Sequence, residues 1–293
     1  MNHLHRSLAP LADAEWKAVD DEARQTLKMN LAARRLVDFS GPHGWEASSI
    51  NLGRVEDTGS ELRAGVYTRR RRVQTLIELR APFTMSRREL EIIGRGGRDP
   101  DLRPVTDAAR DIAIAENKAV FQGFAGGHIT GILEAAHESA LTLNDEYARY
   151  PEVVAEALAK LRNTGIAGPY GIALSPRCYT GLSETTIGGH RVYDHVKRLL
   201  NGPVVWAPGV DGAVVLSMRG GDFELTVGED FSIGYLSHTA ESVQLYLQES
   251  LTFRVLTAEA AVPLRYRTAN AELAPPQGSR SQPRQGTPRR ARG

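Results

Sequence analysis

VQLYLQESLTFRV, residues 243–255 of the 293-residue chain, carries the most regular pattern in the sequence. Every odd-numbered side chain in this stretch except Glu249 is apolar, and such period-two alternation predicts one long β-strand or a bent hairpin with one buried face. Glu249 falls on that apolar face. Because an unpaired buried carboxylate is costly, the sequence predicts an arginine partner or a β-bulge at this position.

Shorter patterns on the N-terminal side of this stretch predict a mixture of helices and strands. Apolar residues that recur every three or four positions, together with helix stop signals, predict helices at residues 13–35, 86–93, 106–122, 153–163 and 192–200. Asp13 can cap the first of these helices. Compact apolar runs predict strands at residues 170–174, 203–206, 213–218 and 223–227. The predicted class is therefore α+β.

Residues 48–80 have many charges and few apolar residues, so they are more typical of a projecting hairpin than of a core. The sequence EDTGS at residues 56–60 predicts the turn between its two strands. Four consecutive arginines follow at residues 69–72. Because side chains alternate across a strand, at most two of them face one surface, and the near-zero net charge favours acidic protein partners or solvent over phosphate as their neighbours.

The overall composition is that of an ordinary globular protein. Apolar residues make up 41% and charged residues 24% of the chain, which excludes wholesale disorder and collagen-like repeats. The length allows one large domain or two smaller ones. Lys and Arg total 36 against 35 for Asp and Glu, and this balance argues against a dedicated nucleic-acid-binding protein.

The sequence predicts a soluble cytoplasmic protein. It contains no run of about 20 apolar residues that could span a membrane. The first residues lack the apolar stretch of a secretory signal. The single cysteine, Cys178, cannot form an internal disulfide, which fits a reducing compartment.

Motifs for catalysis, cofactor binding or metal binding are absent from the sequence. The glycine-rich segments at residues 94–97 and 123–127 match no phosphate-binding pattern, so turns or caps are the favoured interpretation. Cys178 is interpreted as a small packed residue rather than a nucleophile, and no Gly-x-Ser-x-Gly elbow occurs. His3 and His5 could bind a metal ion, but no further ligands lie at supporting spacing, so surface histidines are favoured. We therefore predict no catalytic residue, no cofactor and no metal.

Two further features have a chemical and a plain interpretation. His190 and His195 flank a Gly-Gly loop, where they could sense pH or line an opening, or lie on an ordinary surface. Residues 268–293 hold four prolines and five arginines with little apolar content, so they cannot bury enough surface to order themselves. We predict a disordered basic tail there, either solvated or in weak, salt-sensitive contact with nucleic acid.

Several short motifs occur at intervals along the chain. They are LAP at 8–10 followed by Trp16, GPHGW at 41–45, LRAPFT at 79–84, GPY at 168–170, RGGDF at 219–223, GEDFSIGY at 228–235 and QESLTF at 248–253. Together these motifs resemble the shell proteins of the encapsulin family over about residues 4–266. The tail after Arg267 departs from that family, whose members usually end near this point.

The resemblance implies the tailed-phage major capsid fold, in which about 60 or more identical subunits close into a hollow icosahedral compartment in the bacterial cytoplasm. Residues 132–226 would form the axial domain, and the hairpin at 48–80 would be the extended loop that pairs with a neighbouring subunit. The peripheral domain would comprise 81–131 and 227–267, together with the N-terminal arm and helix at 1–47. The basic tail would be 268–293.

The resemblance also implies cargo enzymes, commonly dye-decolourising peroxidases or ferritin-like iron-storage proteins, with roles in oxidative stress and iron storage. Each cargo would carry a C-terminal targeting peptide that binds an apolar groove with an arginine and an aspartate at its rim. Plain core packing is the alternative for the apolar groove positions. The peptide-binding positions are Leu27, Leu31, Arg34, Asp38, Phe39, Ile233 and Tyr235. The pore-lining positions are Thr185, Thr186, Ile187, Gly188, Gly189 and His190.

Two other functions stay open from the sequence. A phage capsid proper would package genomic DNA. A protease or bacteriocin, labels that some relatives have carried, would need a positioned nucleophile, which the sequence does not show. We therefore expect a structural protein rather than an enzyme, with further copies of itself and a cargo enzyme as its partners and no membrane.

Overall fold

The computed structural model describes residues 3–266, which form a mixed helix and sheet structure around two five-stranded sheets. The α-helices in this range are α1 (Asp13–Asn30), α2 (Arg87–Gly94), α3 (Arg103–Phe121), α4 (Ile132–Ala135), α5 (Tyr150–Asn163), α6 (Pro176–Glu184) and α7 (Val192–Leu200). The strands are β1 (Asp38–Ser40), β2 (Ser49–Arg63), β3 (Val66–Thr75), β4 (Ile77–Ser86), β5 (Gly123–Phe124), β6 (Ile129–Thr130), β7 (Leu141–Leu143), β8 (Tyr170–Leu174), β9 (Thr186–Ile187), β10 (His190–Arg191), β11 (Val204–Trp206), β12 (Ala213–Ser217), β13 (Phe223–Val227), β14 (Ser232–His238), β15 (Ser242–Val255) and β16 (Ala261–Tyr266). The predicted tail at 268–293 lies outside the described residues.

The first sheet is organised around β15, which contains the alternating stretch as one continuous strand of 14 residues. Strand β4 pairs with it along one side, while β14 and then β13 pair with successive parts of its other side, and β1 pairs with β13. The long-strand prediction is therefore confirmed, and the bent hairpin is wrong.

Helices α1 and α3 pack on the first sheet. Their apolar stripes, which include Val19 and Ile112, form one hydrophobic cluster with Met85 of β4 and Leu245 of β15. This is the packing expected for amphipathic helices whose apolar residues lie three and four positions apart.

Both ends of α1 differ from the prediction. Ala12 rather than Asp13 occupies the N-cap position, and its backbone N–H donates to the Glu15 carboxylate at 2.8 Å. The helix ends at Asn30 instead of continuing to residue 35 because the buried side chain of Asn117 accepts hydrogen bonds from the backbone N–H groups of Ala32 and Ala33, at 3.0 and 3.1 Å. These long-range bonds replace the intrahelical ones, and the chain turns.

The second sheet has the order β11-β8-β12-β16-β7 and is packed against α5, α6 and α7. Every residue of β8 and β12 is buried, as expected for strands covered on both faces. Strands β12 and β13 are consecutive in the chain but belong to different sheets. Strand β16 lies between β12 and β7, so the last part of the expected peripheral range 227–267 pairs with strands of 132–226. The domain boundaries themselves stay a prediction.

Strands β2 and β3 form a separate two-stranded hairpin, as predicted for residues 48–80. The turn predicted at 56–60 is wrong: β2 continues through these residues, and the chain reverses at Ala64 and Gly65, where Gly65 has a φ of 78° that favours glycine. Cross-strand ion pairs explain why the charged residues at 56 and 57 continue the strand. Arg70 pairs with Glu56 at 2.8 Å and Arg69 with Asp57 at 3.0 Å.

Several helices begin earlier than their apolar periodicity predicts. Helix α3 begins at Arg103 and α5 at Tyr150, in both cases with a proline in the first turn. Proline is well tolerated there because the first backbone N–H groups of a helix have no intrahelical acceptor. No helix in residues 3–266 is long and apolar enough to cross a membrane.

Candidate functional site

A groove of about 540 Å3 lies between α1 and β14. Its apolar lining includes Leu27 and Leu31, which lie four residues apart and so share one face of the helical segment, and Ile233 of β14. Leu27 and Ile233 are 8% and 3% exposed, whereas Leu31, just beyond the end of α1, is half-buried. Leu31 is therefore the most accessible of the three predicted apolar groove positions.

Charged side chains surround this apolar floor. Arg6 forms a bidentate pair with Asp20, at 2.7 and 3.1 Å, and both residues line the groove. Arg24 pairs with Asp21 at 2.7 Å. Lys28 also lines the groove and takes part in no ion pair with the residues that the structure describes. The groove therefore offers an apolar floor with an uncompensated cation at its edge.

The N-terminal arm closes one end of the groove. The Arg6 guanidinium stacks over the Trp16 ring at 3.9 Å, and the backbone N–H of Tyr235 in β14 donates to the carbonyl of Leu4 at 2.9 Å. His3 stacks on Trp45 at 4.0 Å and contacts Glu229 at 2.7 Å. The arm is thus fixed to the edge strand by backbone, ionic and aromatic contacts together.

The predicted peptide-binding position Tyr235 lies under this arm rather than in the groove. Its hydroxyl is hydrogen-bonded to His238, and its backbone N–H is occupied by Leu4. Asp38 and Phe39, on β1, also lie away from the groove lining: Asp38 accepts a hydrogen bond from the backbone N–H of Gly221 at 2.6 Å, and Phe39 packs against Arg34. The structure brings together Leu27, Leu31 and Ile233 but not these three residues.

Arg34 belongs to a buried ionic cluster beside the groove. Its guanidinium contacts Glu249 at 2.6 Å, Glu116 of α3 at 2.7 Å and Asp230 at 2.9 Å. The arginine partner predicted for Glu249 is therefore present, and β15 has no bulge at this position. Burial lowers the pKa of Arg34, but the three carboxylates outweigh it and hold that pKa above its ordinary value.

The two glutamates of this cluster are fully buried. Burial raises the pKa of Glu249 well above its usual range, and the adjacent Glu116 carboxyl adds to the shift. Burial likewise raises the pKa of Glu116, against the attraction of Arg34. The cluster therefore favours a protonated carboxyl.

Sequence reasoning missed the polar half of the groove. Arg6, Asp20, Lys28 and Asp230 are ordinary surface charges in the sequence, and only their packing brings them to one place. Lys28 follows Arg24 by four residues, which puts both on one helix face. This spacing was the sequence signal that could have predicted a charged edge of the groove. Asp230 directly precedes Phe231 and the strand that holds Ile233.

The predicted pore loop is an exposed two-stranded turn. Strands β9 and β10 pair through Ile187 and His190, and Gly188 and Gly189 form the turn with φ values of 56° and 82°. The His190 ring lies 6.1 Å from the ring of His195, whose Nε2 is buried without a hydrogen-bond partner among the described residues. A pore at this loop stays a prediction.

The other residues that the sequence analysis considered for chemistry are Cys178, His3 and His5. Cys178 is buried, with its Sγ 3.2 Å from the Tyr266 hydroxyl and 3.4 Å from the Tyr150 hydroxyl. Burial raises the pKa of both tyrosines. Within residues 3–266 no group of three or more His, Cys, Asp or Glu side chains could hold a metal ion.

Comparisons with known proteins agree with these features. Residues 1–252 match the family described as "Encapsulating protein for peroxidase". The chain is 57% identical over 271 residues to the type 1 encapsulin shell protein of Rhodospirillum rubrum, a match that covers 90% of this chain and 97% of that protein. It is 46% identical over 264 residues to the type 1 encapsulin shell protein of Mycolicibacterium paratuberculosis, covering 90% and 99%.

The fold itself is shared with more distant particles. The solved structure of a virus-like particle from Pyrococcus furiosus matches with a TM-score of 0.58 at 17% identity, covering 84% of this chain and 98% of that one. The expected capsid-like fold is thereby confirmed. With close relatives named as shell proteins over nearly their full length, the chain belongs to the family of encapsulin shell proteins.

Proposed function

We propose that copies of this chain close into an icosahedral shell that encloses an enzyme, and that the enzyme is captured by a C-terminal peptide bound in the groove between α1 and β14. The family to which the chain belongs supports a structural role in a multi-copy shell. The description of that family favours a peroxidase as the cargo, with a ferritin-like protein as the second candidate.

The observation that carries the proposal is the exposed hairpin of β2 and β3. Its strands have 15 and 10 residues, and none of their side chains is fully buried. Large apolar side chains project into solvent, including Leu62 at 86% and Tyr67 at 80% exposed. A two-stranded hairpin is marginally stable alone in water, so contact with a second subunit would stabilise it.

The groove suits an extended peptide with apolar side chains. Its floor is apolar, and the neighbouring strand β14 is an edge strand, which is the usual setting for peptide capture. The half-buried side chain of Leu31 supplies apolar surface that an incoming leucine or isoleucine would cover. The exposed β9–β10 turn fits a position at an opening in the shell, through which small substrates of the cargo would pass.

A phage-type capsid is the second candidate because the fold is shared with virus-like particles. The two functions differ in their contents. A cargo compartment would hold protein, whereas a capsid would hold genomic DNA.

The test is electron microscopy and composition analysis of the purified protein. We expect hollow, uniform shells that retain a fluorescent protein carrying the C-terminal segment of a dye-decolourising peroxidase and exclude the same fluorescent protein without that segment. Isolated 32.0 kDa subunits, or particles filled with DNA, would contradict the proposal.

A further inference from the structure

The ionic cluster around Arg34 contains more carboxyl groups than cations. One guanidinium faces three carboxyl groups, those of Glu116, Glu249 and Asp230, at 2.6 to 2.9 Å. The Asp230 side chain is 42% exposed and is screened by water, whereas Glu116 and Glu249 are fully buried. Two buried carboxylates would therefore share a single cation if both were ionised.

Each of the two buried carboxyls also has one oxygen without a hydrogen-bond donor among residues 3–266. They accept from neighbouring N–H groups of one guanidinium, Nε for Glu116 at 2.7 Å and Nη2 for Glu249 at 2.6 Å, and the unpartnered oxygens are Glu116 Oε1 and Glu249 Oε2. A buried oxygen without a donor is costly, and two adjacent carboxylates repel each other. One proton between the two groups removes both costs, because it supplies the missing donor and cancels one charge.

The charged groups in this cluster belong to four different segments of the chain. Glu116 belongs to α3, Glu249 to β15, Arg34 to the turn after α1, and Asp230 to the segment before β14. The Arg34 guanidinium also lies 4.7 Å from the centre of the Phe231 ring. Arg34 is therefore the link between the buried pair and the start of β14.

Asp230 and Phe231 both line the groove, whereas Arg34, Glu116 and Glu249 do not. Arg34 holds Asp230 at 2.9 Å and contacts the Phe231 ring, so its position fixes this wall of the groove. Arg34 was expected from the family resemblance to bind the peptide. That role stays a prediction, while the contacts of Arg34 with Asp230 and Phe231 also suit a positioning residue behind the wall.

We propose that Glu116 and Glu249 share one proton and that this protonated pair keeps Arg34 in place to position the groove wall, so that peptide capture weakens when the proton is lost at high pH. The proposal rests on the proposed function of the groove. When the pair loses its proton, the two glutamates repel each other and compete more strongly with Asp230 for the Arg34 guanidinium, which contacts all three carboxyls. Arg34 then releases Asp230, and the wall formed by Asp230 and Phe231 loosens.

The test uses assembled shells loaded by co-expression with a pH-insensitive fluorescent protein that carries the C-terminal segment of a dye-decolourising peroxidase. Time-resolved fluorescence anisotropy gives the ratio of free to wall-bound protein inside the shell. In the wild type we expect this ratio to rise by about tenfold between about pH 6 and about pH 10, the effect of one pKa unit of differential stabilisation. Glu249→Gln keeps the shape and a hydrogen-bond donor but cannot ionise, so its ratio should stay constant.

Glu241→Gln is the matched control, since Glu241 is exposed just before β15 and the same chemical change there should leave the wild-type pH dependence intact. A second measurement needs no cargo. Infrared spectra of empty wild-type shells at neutral pH should contain the band of a buried protonated carboxyl, and Glu249→Gln or Glu116→Gln should remove it.

The two measurements separate the possible failures. A carboxyl band without peptide capture at any pH would overturn the proposed function of the groove and leave the shared proton in place. Peptide capture with no carboxyl band, or with the same pH dependence in Glu249→Gln as in the wild type, would overturn the shared proton and leave the groove function in place.

Discussion

Replacing Arg34 by methionine tests whether this residue stabilises the fold or only contacts a ligand. Methionine keeps the length of the apolar stem and removes the charge, so packing changes little. Glu116 and Glu249, both fully buried, then lose the one cation that contacts them within residues 3–266. Removing one partner of a buried ion pair costs about 3–5 kcal/mol of the free energy of unfolding, mostly from the charge left behind.

This loss is large enough to measure by thermal unfolding. For a protein of this size each kcal/mol lowers the melting temperature by about 2–4 °C, so Arg34→Met should lower it by about 6–20 °C. Circular dichroism of the assembled shell at neutral pH, with the scan rate held constant, gives the comparison. The control is Arg24→Met, which removes an exposed arginine of α1 that pairs with exposed Asp21 and should leave the melting temperature near that of the wild type.

Neutralising the glutamates completes the argument. Arg34→Met combined with Glu116→Gln and Glu249→Gln removes all three buried charges and should recover most of the lost stability, because neutral replacements of buried ionic groups are often tolerated. The buried charges do not determine the stability of this region if Arg34→Met has the same melting temperature as Arg24→Met. The same conclusion follows if the triple variant is less stable than Arg34→Met alone.

Three further predictions follow from other parts of the structure. Deleting residues 56–69 of the hairpin should leave a folded subunit that sediments near 32.0 kDa, and closed shells at normal yield would contradict this. Because the pKa of Glu249 is raised in the folded state, its contribution to stability is full below about pH 4.5, the ordinary value, and is lost as the pH rises toward the folded-state pKa, at up to about 1.4 kcal/mol per pH unit. The stability of Glu249→Gln relative to the wild type should therefore increase over this range in denaturation curves, and a constant difference would refute the shift. Leu31→Glu should abolish co-purification of cargo while preserving the shell, whereas Met29→Glu, a change at a neighbouring exposed side chain, should preserve both.

The local patterns of the sequence predict the elements well because short-range periodicity reports which face is buried. The stretch 243–255 forms one strand, and Glu249 has the arginine partner that burial demands. The pattern could not identify Arg34 as that partner. The two residues are 215 positions apart, and only the fold, which packs the turn after α1 beside β15, brings them together.

The errors have long-range causes of the same kind. Helical periodicity continues past Asn30, yet α1 ends there. The side chain of Asn117, on α3, accepts hydrogen bonds from the two backbone N–H groups of Ala32 and Ala33. The acidic residues before Gly59 look like a turn, yet arginines on the partner strand pair with them and let β2 continue to Arg63. In both cases a contact between distant residues outweighs a local preference.

The groove shows the same division between local and long-range information. The family resemblance identified its apolar floor, and the structure places Leu27, Leu31 and Ile233 together. Its charged residues come from the N-terminal arm, α1 and the segment before β14, and the last of these lies far from the other two in the sequence. Lys28 and Arg6 therefore became candidates for peptide contact only when the fold placed them at the groove.

We expect two sets of side chains to find their partners at different stages, one when the subunit folds and the other when subunits assemble. The buried carboxyls of Glu116 and Glu249 find their cation within the same subunit, so the folded monomer already contains the complete cluster. The apolar side chains of the hairpin, such as Leu62 and Tyr67, are not covered by other residues of the range 3–266, and we expect another copy to cover them. Substitutions in the cluster should therefore reduce stability before assembly begins, whereas substitutions in the hairpin should reduce assembly without unfolding the subunit. We therefore expect the subunit to fold first and the shell to close afterwards.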